Sequence, residues 1–573
     1  MIEHRYDVAV LGGGLAGLTL ALQLKSRGPE TSILVVERRE GPAPEAAFKV
    51  GESTVEVGAD YFARVCGMRD HLEREQLPKL GLRFFFSAGD NRDITKRIEW
   101  GERAFPSGAR TYQIDRGRFE NALADRCREL GVELREGASV IEVDLVGDPH
   151  TVTVSRASGE ETVHARWVVD CAGRAFILRR KLGLQQDVAH TVNSAWWRVG
   201  NGHVDLEEWG AHDEEWMARM ARPGLRQHST CHLCGEGYWV WLIPLASKGH
   251  SIGIVADPRF HAFERIATLD RALEWLAEFE PQLADALARR RSDVQDFLTI
   301  EKFAHGSTQV FSPERWTLTG EAGVFIDPLY SPGSDYIAGA NTYATDLICR
   351  DLAGEDITDV AARYNFAYLA QFQGSLDAVW TGHYAEFGDA EVLNCKLTYD
   401  YIRYWGLVAP FELYDKYTDA TFTLAVLPDV MRGVRLGGVV QQLFRDWHVA
   451  GQGEPHPSNA MVVVSTFPGC WQLYTDLTAG LDDGGLREHF RRGADVLEGA
   501  AVVYFHRACR RLADGPPDPA RRVNPYAVSL HPDRWDAEEL FSEDGLTLAQ
   551  AHERAPGLDN VMLGELAGGA ALS

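Results

Sequence analysis

The sequence of 573 residues lacks several features that would assign it to a simple class of protein. It contains no run of 18 or more apolar residues, so no membrane-spanning helix is predicted. Its nine cysteines have no regular spacing, which favours a reducing compartment, and we expect a cytoplasmic protein. The close pair Cys231 and Cys234 has no second pair at the spacing of a zinc finger. We therefore predict no metal site.

Positive charge is also scarce in this chain. Its 58 Lys and Arg residues face 83 Asp and Glu residues, which gives a formal net charge of −25. Nucleic acids and anionic membranes are bound through basic faces, so neither is expected as the main partner. Internal repeats, low-complexity tracts and a signal peptide are not apparent either. The length predicts two large units, or one elaborate domain with an extension.

A glycine motif lies close to the start of the sequence. The apolar run YDVAVL, residues 6–11, predicts a buried strand, and an apolar helix is predicted after the glycines. Gly12, Gly14 and Gly17 form G-x-G-x-x-G between the two, and Glu37 ends the next predicted strand. These glycines permit a tight turn, a close approach to a pyrophosphate and close packing, while the carboxylate accepts from ribose hydroxyls. The pattern predicts a dinucleotide-binding unit; a glycine turn used only for packing is the alternative.

Two later segments favour FAD over NAD as the dinucleotide. VVDCAGR, residues 168–174, resembles the D-x-x-G-R strand end of flavin monooxygenases, and TLTGEAGVFIDPL, residues 317–329, resembles their GD…P segment. Glu321 stands where that segment usually has Asp. No second glycine motif for a tightly bound NAD(P)H is found, since Gly437–Gly438 lacks the preceding strand.

Four motifs in a fixed order carry a more specific resemblance. They are FKVGEST (48–54), LPKLGLRFFF (77–86), WVWLIP (239–244) and FIDPLYSPG (325–333). With this order and spacing the chain resembles the flavin-dependent halogenases, which share their flavin domain with aromatic hydroxylases. The resemblance covers roughly residues 5 to 345.

The resemblance implies an α/β (α+β) fold with a Rossmann-type FAD-binding domain, an inserted mixed β-sheet and a mainly helical C-terminal region. The implied FAD module spans 1–345, with the inserted substrate sheet at about 75–115 and 185–305. Residues 346–573, which are helical in period, would cover the substrate. We also predict one helix from TLDRALEWLAEFEPQLADAL, residues 268–287.

The resemblance also implies a reaction. A separate flavin reductase supplies reduced FAD, with which O2 oxidises chloride or bromide to hypohalous acid. The acid passes through a tunnel to a lysine, by motif position Lys79, and there an electron-rich aromatic carbon takes the halogen. A cation polarises the acid, and a buried lysine changes its pKa readily. A solvated surface lysine is the alternative reading of Lys79.

Site residues follow from the motif positions. The implied flavin-binding residues are Gly12, Gly14, Leu15, Ala16, Gly17, Glu37, Lys49, Gly51, Glu52, Ser53, Arg116, Asp170, Gly173, Arg174, Gly320, Asp327 and Pro328. The halide is expected at the backbone N–H groups of Ser331, Pro332 and Gly333, of which the proline has none to donate. Catalytic roles are expected for Lys79, Trp239, Trp241 and Tyr330.

Trp239 and Trp241 lie two residues apart, so both indoles are predicted on one face of a strand. In the family this strand lies between flavin and substrate, where bulk prevents direct hydroxylation. Ordinary core packing is the alternative, and the two are compatible.

Three positions depart from the family pattern. Glu56 replaces a proline after GES, Tyr330 replaces the Glu that follows DPL in tryptophan halogenases, and Asp335 brings an acid near the expected halide loop. The second change disfavours free tryptophan and favours a phenol, a pyrrole or a carrier-bound acyl group in secondary metabolism. The third would repel a halide. A flavin monooxygenase or oxidase without halide chemistry, and a non-catalytic flavoprotein or carrier-protein partner, therefore stay open as alternatives.

Overall fold

The computed structural model describes residues 4–45, 49–451 and 459–563. Phe48, the first residue of one motif, lies outside these ranges. The strands are β1 His4–Leu11, β2 Ile33–Val36, β3 Leu77–Lys79, β4 Leu82–Phe85, β5 Glu99–Trp100, β6 Thr111–Gln113, β7 Glu133–Arg135, β8 Ser139–Asp144, β9 His150–Arg156, β10 Gly159–Asp170, β11 Gln185–Gln186, β12 Asn193–Val199, β13 Thr230–Gly235, β14 Tyr238–Pro244, β15 His250–Ala256, β16 Leu298–Ile300, β17 Gly306–Ser307, β18 Phe311–Ser312, β19 Trp316–Leu318 and β20 Met461–Val462.

The helices follow the same order along the chain. They are α1 Leu15–Arg27, α2 Glu56–Asp60, α3 Arg69–Glu75, α4 Arg116–Glu129, α5 Ile177–Lys181, α6 Leu206–Gly210, α7 Glu214–Ala218, α8 Leu269–Phe279, α9 Pro281–Ala288, α10 Gly333–Leu352, α11 Thr358–Ser375, α12 Ala390–Arg403, α13 Pro410–Leu413, α14 Ala420–Ala450, α15 Pro468–Asp476, α16 Asp483–Ala508 and α17 Leu548–Arg554. A π-helical turn, Tyr404–Val408, continues α12. The predicted α/β fold is confirmed.

The first sheet holds the glycine motif. Its strand order is β18-β19-β10-β1-β2-β7, with the β8–β9 hairpin added beside β10. The central strand β1 pairs in parallel with both β10 and β2, so it is covered on both edges, and its residues from Val8 to Leu11 are fully buried. Burial on both faces explains why YDVAVL reads as a continuous apolar run rather than an alternating one. α1 follows directly and packs on α4 and α10.

The second sheet holds the tryptophan strand. Its order is β16-β12-β15-β14-β13-β4-β5-β20. The segments expected at about 75–115 and 185–305 supply every strand except β20, which comes from the C-terminal region and pairs with β5. The strands β12, β13, β14 and β15 are buried along their whole length.

Two sequence expectations differ from the structure in detail. The helix predicted over 268–287 is two helices, α8 and α9, because Pro281 has no N–H to donate to the preceding turn and begins α9 instead. The expected domain boundary at residue 345 falls inside α10, which is continuous from Gly333 to Leu352. The chain after α10 is helical as predicted. Among the helices of the described ranges, none is both long and apolar enough to cross a membrane.

Candidate active site

The glycine turn between β1 and α1 has the geometry of a phosphate-binding loop. Gly12 has φ +113°, and a Cβ there would lie 2.5 Å from the carbonyl oxygen of Cys171. A Cβ on Gly17 would lie 2.1 Å from the carbonyl oxygen of Gly12. Only glycine fits either position, and α1 begins at Leu15 with its N–H groups at the turn. The turn therefore leaves open backbone where a pyrophosphate is expected.

Charged side chains border this turn. The Glu37 carboxylate accepts from the N–H groups of Gly13 (2.8 Å) and Arg39 (2.7 Å) and so lies beside the turn. Lys49 Nζ is 3.8 Å from the position that a Cβ on Gly14 would occupy, and it forms an ion pair with Glu120. A cation over the phosphate turn and a carboxylate next to it suit a dinucleotide.

The other predicted flavin segments converge on the start of α1. Asp170 accepts from the N–H groups of Ala172 and Leu178, and burial raises its pKa to about 6. Gly320 has φ +60°, and a Cβ there would lie 2.9 Å from Ala16 Cβ. Gly320 therefore lies directly on α1, and the structure fits a flavin dinucleotide along this edge of the first sheet.

The remaining segments add an ion pair and a held loop. Gly173 has φ +57°, and Arg174 after it pairs with Glu321 at 2.5 Å. Arg116 donates to the carbonyl of Val50 and so holds the loop that contains Gly51, which has φ +90°.

Two residues expected at the cofactor have carboxylates that bind protein partners. The Glu52 carboxylate pairs with the buried guanidinium of Arg198 at 2.8 Å. The Asp327 carboxylate lies 2.6 Å from His190 Nε2 and accepts from the Tyr384 hydroxyl at 2.5 Å. Both carboxylates are 2% exposed or less and are directed to protein partners, because a buried charge is retained only with such partners. These contacts anchor the two motif loops to distant parts of the chain, and Pro328 follows Asp327 in the second loop.

Lys79 ends the edge strand β3 and is buried, with 3% of its surface exposed. Its Nζ donates to Ser53 Oγ (2.7 Å) and to the carbonyl oxygen of Thr54 (2.6 Å). Burial lowers the pKa of Lys79 to about 7, although the charges of Glu56 and Asp335 act in the opposite direction. The structure therefore excludes the solvated surface lysine, and Lys79 takes up or gives up a proton near neutral pH.

Ser53 connects Lys79 to the loop expected to bind halide. Its hydroxyl accepts from Lys79 and from the Ser331 hydroxyl (3.0 Å), and it lies 2.8 Å from Thr230 Oγ1. Ser53, which its motif position predicts at the flavin, has its hydroxyl between the lysine and the loop. The loop and the lysine thus belong to one hydrogen-bonded unit.

The loop itself differs from the expected anion nest. Tyr330 and Ser331 have φ +74° and +60°, left-handed values that non-glycine residues rarely adopt. The Ser331 N–H donates to the carbonyl of Pro328 at 2.9 Å, so it is not free for a halide. Pro332 has no N–H, which leaves Gly333, at the start of α10, as the backbone donor of the triplet.

Lys79 faces a cavity of about 500 Å³ between the second sheet and the helical region. Its wall is largely aromatic and includes Trp100, Tyr330, Trp380, Tyr401, Tyr404 and Trp405. The Tyr330 hydroxyl donates to Asp400 at 2.9 Å. A cavity of this size with an aromatic wall and a few polar groups is typical of a site for one aromatic small molecule.

Two of the acids that depart from the family pattern line the same cavity. Asp335 accepts from the Gly58 N–H (2.9 Å) and from the Tyr404 hydroxyl (2.8 Å), and burial raises its pKa to about 7. It thereby joins α10 to α2, where a Cβ on Gly58 would lie 2.5 Å from Ser334 Cβ. Glu56 begins α2, and burial raises its pKa. Asp335 thus faces the lysine cavity and is held by two donors.

Trp239 and Trp241 share one face of β14 as predicted, with ring centroids 5.8 Å apart. Neither is among the lining residues of the cavity. Trp239 donates to the Tyr384 hydroxyl at 2.9 Å and packs on His232, behind which Phe84 lies next to Tyr330. Trp239 therefore lies two aromatic rings behind the cavity wall, with Trp241 next to it on the same strand.

The cavity residues after α11 carried no motif. Tyr401 lies near the end of α12, and Tyr404 and Trp405 begin the π-helical turn that follows. The available signal was composition only: YDYIRYW, residues 399–405, is rich in aromatic side chains. The helical spacing of the apolar residues in this segment is the same whether they line a cavity or pack in a core.

Comparison with known proteins agrees with these observations. Residues 5–255 match the family described as FAD binding domain. The chain is 25% identical over 442 residues to the flavin-dependent halogenase chlA of Dictyostelium discoideum, covering 71% of each protein. It is 25% identical to a 1H-pyrrole-2-carbonyl-[peptidyl-carrier protein] chlorinase of Pseudomonas fluorescens, covering 62% of this chain and 79% of that one. The fold is similar to halogenase PltM, with a TM-score of 0.57 and 16% identity over 87% of this chain and 96% of that one.

Proposed function

We propose, from the premise that this chain is a relative of the flavin-dependent halogenases and carries an FAD-binding domain, that it halogenates an electron-rich aromatic substrate. The main support for this proposal is the position of Lys79. It is buried at the wall of an aromatic cavity and is joined through Ser53 to the loop at Ser331. Bound reduced FAD, with O2, would supply the oxidising equivalents that convert chloride or bromide to hypohalous acid.

The residues of this chain divide the remaining work. The glycine turn, Glu37 and Lys49 hold the dinucleotide, and Gly333 offers a backbone donor to the halide. Lys79, with two of its three N–H bonds given to Ser53 and Thr54, has one left to orient hypohalous acid towards the cavity. A site built in this way separates the oxidation of halide from the carbon that accepts the halogen.

The substrate proposed here is a phenol, a pyrrole or an acyl group held on a carrier protein, in secondary metabolism. Support comes from the aromatic cavity wall and from the carrier-protein substrate that one relative is named for. Tyr330 lies in the wall and binds Asp400, so no carboxylate stands directly after the DPL triplet. A separate flavin reductase and a tunnel to Lys79 belong to the same proposal, in which Trp239 and Trp241 keep the substrate away from the flavin.

The decisive experiment supplies reduced FAD to the purified holoenzyme with O2 and bromide or chloride. Phenols, pyrroles and carrier-linked pyrroles serve as substrates, and mass spectrometry detects the halogen isotope pattern. We expect a halogenated product that needs both halide and reduced flavin. Lys79→Met should abolish it while flavin binding and oxidation continue. Halide-independent oxygenated product, or NAD(P)H oxidation by the protein alone, would support the flavin monooxygenase or oxidase instead.

A further inference from the structure

Five acidic side chains line the lysine cavity, and four of them are committed to other groups. The acids are Glu56, Glu73, Glu102, Asp335 and Asp400. Glu73 pairs with Arg110 (3.0 Å), and Glu102 accepts from the N–H and hydroxyl of Ser465.

Asp335 and Asp400 are held in the same way. Asp335 accepts from Gly58 and Tyr404, and Asp400 pairs with Lys396 at 3.0 Å. Glu56 is different: among the described residues none forms an ion pair with it within 4.0 Å. Its polar neighbours are its own backbone N–H and the indole of Trp405, whose Nε1 has no hydrogen-bond partner in the described chain. Glu56 is therefore the carboxylate available to a ligand.

Glu56 and Lys79 stand on the same side of the cavity without touching each other. The lysine Nζ is fixed to the carbonyl oxygen of Thr54, two residues before Glu56. No ion pair joins the two charges, yet each affects the other, since Glu56 raises the pKa of Lys79 and Lys79 lowers that of Glu56. A carboxylate outside any ion pair and a nearby ammonium in one cavity wall suit a ligand group that gives a proton to the carboxylate and places negative charge next to the ammonium.

The chemistry of the substrate classes distinguishes what Glu56 could receive. The ring C–H proton released after halogen addition is strongly acidic and needs no special base. A phenol hydroxyl, with a pKa near 10 as in tyrosine, needs a base stronger than an ordinary carboxylate. Burial raises the pKa of Glu56, so its ionised form is a stronger base than an exposed carboxylate. A pyrrole or a methyl ether offers no comparable hydroxyl.

We propose that Glu56 is the general base for a phenolic substrate, whose hydroxyl it binds while the ring lies against Lys79. The inference rests on the proposed function for the halogenation step and narrows its substrate to phenols with a free hydroxyl. The phenol gives its hydroxyl proton to the Glu56 carboxylate, and the O–H electron pair stays on the oxygen. The negative oxygen raises the electron density of the ring carbons ortho and para to it.

The step is balanced as follows. One of these carbons attacks the halogen of hypohalous acid, a C–X bond forms, and the X–O bond breaks with its electron pair leaving as hydroxide. Hydroxide takes a proton from the Lys79 ammonium and becomes water. The ring C–H proton then passes to Lys79, and the Glu56 proton returns to the phenolate oxygen. The sum is phenol plus HOX giving halophenol plus water, with both side chains restored.

The titratable groups around Glu56 come from five elements. They are Lys79 on β3, Asp335 on α10, Tyr401 on α12, Tyr404 in the π-helical turn and Tyr474 on α15. Burial raises the pKa of each of the three tyrosines, so they stay protonated near neutral pH. Lys79 and Asp335 each have a pKa of about 7 and both interact with Glu56, so the test must not depend on pH alone.

The first arm of the test compares a phenol with its methyl ether in the holoenzyme. For Glu56→Gln we expect kcat/KM to fall at least ~100-fold with the phenol and to change less than ~3-fold with the methyl ether, which has no hydroxyl proton to lose. Glu56→Asp should restore part of the rate with the phenol. Glu102→Gln is the matched control, and it should treat both substrates alike. Equal losses with phenol and ether would overturn the proposal.

The second arm needs no halogenation, so it separates this inference from the proposed function. Fluorine NMR follows 4-fluorophenol bound to the oxidised holoenzyme at about pH 8, which favours the ionised form of Glu56 and lies below the pKa of the free phenol. We expect the fluorine signal to move towards the phenolate position in the wild type and in Glu102→Gln, and not in Glu56→Gln. The same signal in wild type and Glu56→Gln refutes the role of Glu56, whether or not the enzyme proves to be a halogenase.

Discussion

Replacing Lys79 by methionine should make the protein inactive and should remove a part of the pH dependence of its stability. Lys79 is 3% exposed, and its folded-state pKa of about 7 lies below the value of about 10.4 for an unfolded lysine. Between these values the unfolded chain binds one more proton at this residue than the folded chain does. The free energy of unfolding of the wild type therefore rises with pH in this interval, by about 1.4 kcal/mol per pH unit.

Methionine has a similar length and no titratable group, so the difference between the two proteins isolates this effect. From about pH 7.5 to about pH 9.5 the wild type should gain about 2.7 kcal/mol relative to Lys79→Met. Urea unfolding of both holoenzymes at both pH values measures the difference. The lost bonds to Ser53 and Thr54 lower the stability of the variant by a similar amount at each pH. If the stability difference between the two proteins does not change with pH, the pKa of Lys79 is not lowered in the folded protein, and the reasoning on its reactivity fails.

Three further substitutions test other parts of the site. Gly14→Val should lower FAD affinity at least ~10-fold without changing the thermal midpoint of the FAD-free protein, because the valine side chain fills the space towards Lys49 rather than the core. Fluorescence titration with FAD measures the affinity, and an affinity equal to that of the wild type would place the pyrophosphate elsewhere. Ser53→Ala removes the group between Lys79 and Ser331 and should reduce halogenation at least ~10-fold with unchanged FAD affinity; a rate within a factor of two of wild type would show that this link is not used. Trp239→Ala should lower the free energy of unfolding by about 3–5 kcal/mol and should increase the hydrogen peroxide released per flavin oxidised. If the variant is destabilised but its peroxide release is unchanged, the tryptophan has a packing role alone.

Much of the flavin part of the fold could be predicted because backbone requirements leave marks in the sequence. Gly12 and Gly17 stand where any Cβ would collide with a carbonyl oxygen, and the buried strand β1 needs an unbroken apolar run. The face shared by Trp239 and Trp241 follows from strand geometry in the same way.

The partners of buried charges could not be predicted, because they come from distant parts of the chain. Arg198 binds Glu52 across 146 residues, and Tyr384 binds Asp327 across 57. Motif position predicts both residues at the cofactor and gives no sign of the protein partners that their carboxylates have in the fold. The same reason hides Tyr404, which reaches Asp335 from a helix with no motif.

The hydrogen bonds of Asp335 have a consequence for how such a protein could be re-engineered or diversified. The first helix turn of the motif region, at Val57 and Gly58, is held by Asp335 and by Tyr404 of the C-terminal region. At the far edge of the second sheet, β20 from the same region completes the pairing of β5. The C-terminal region therefore cannot be exchanged independently of the rest of the chain. A chimera joined within α10 would need counterparts of Tyr404 and β20 as well as a new cavity wall, because otherwise Glu56 would lose its positioning.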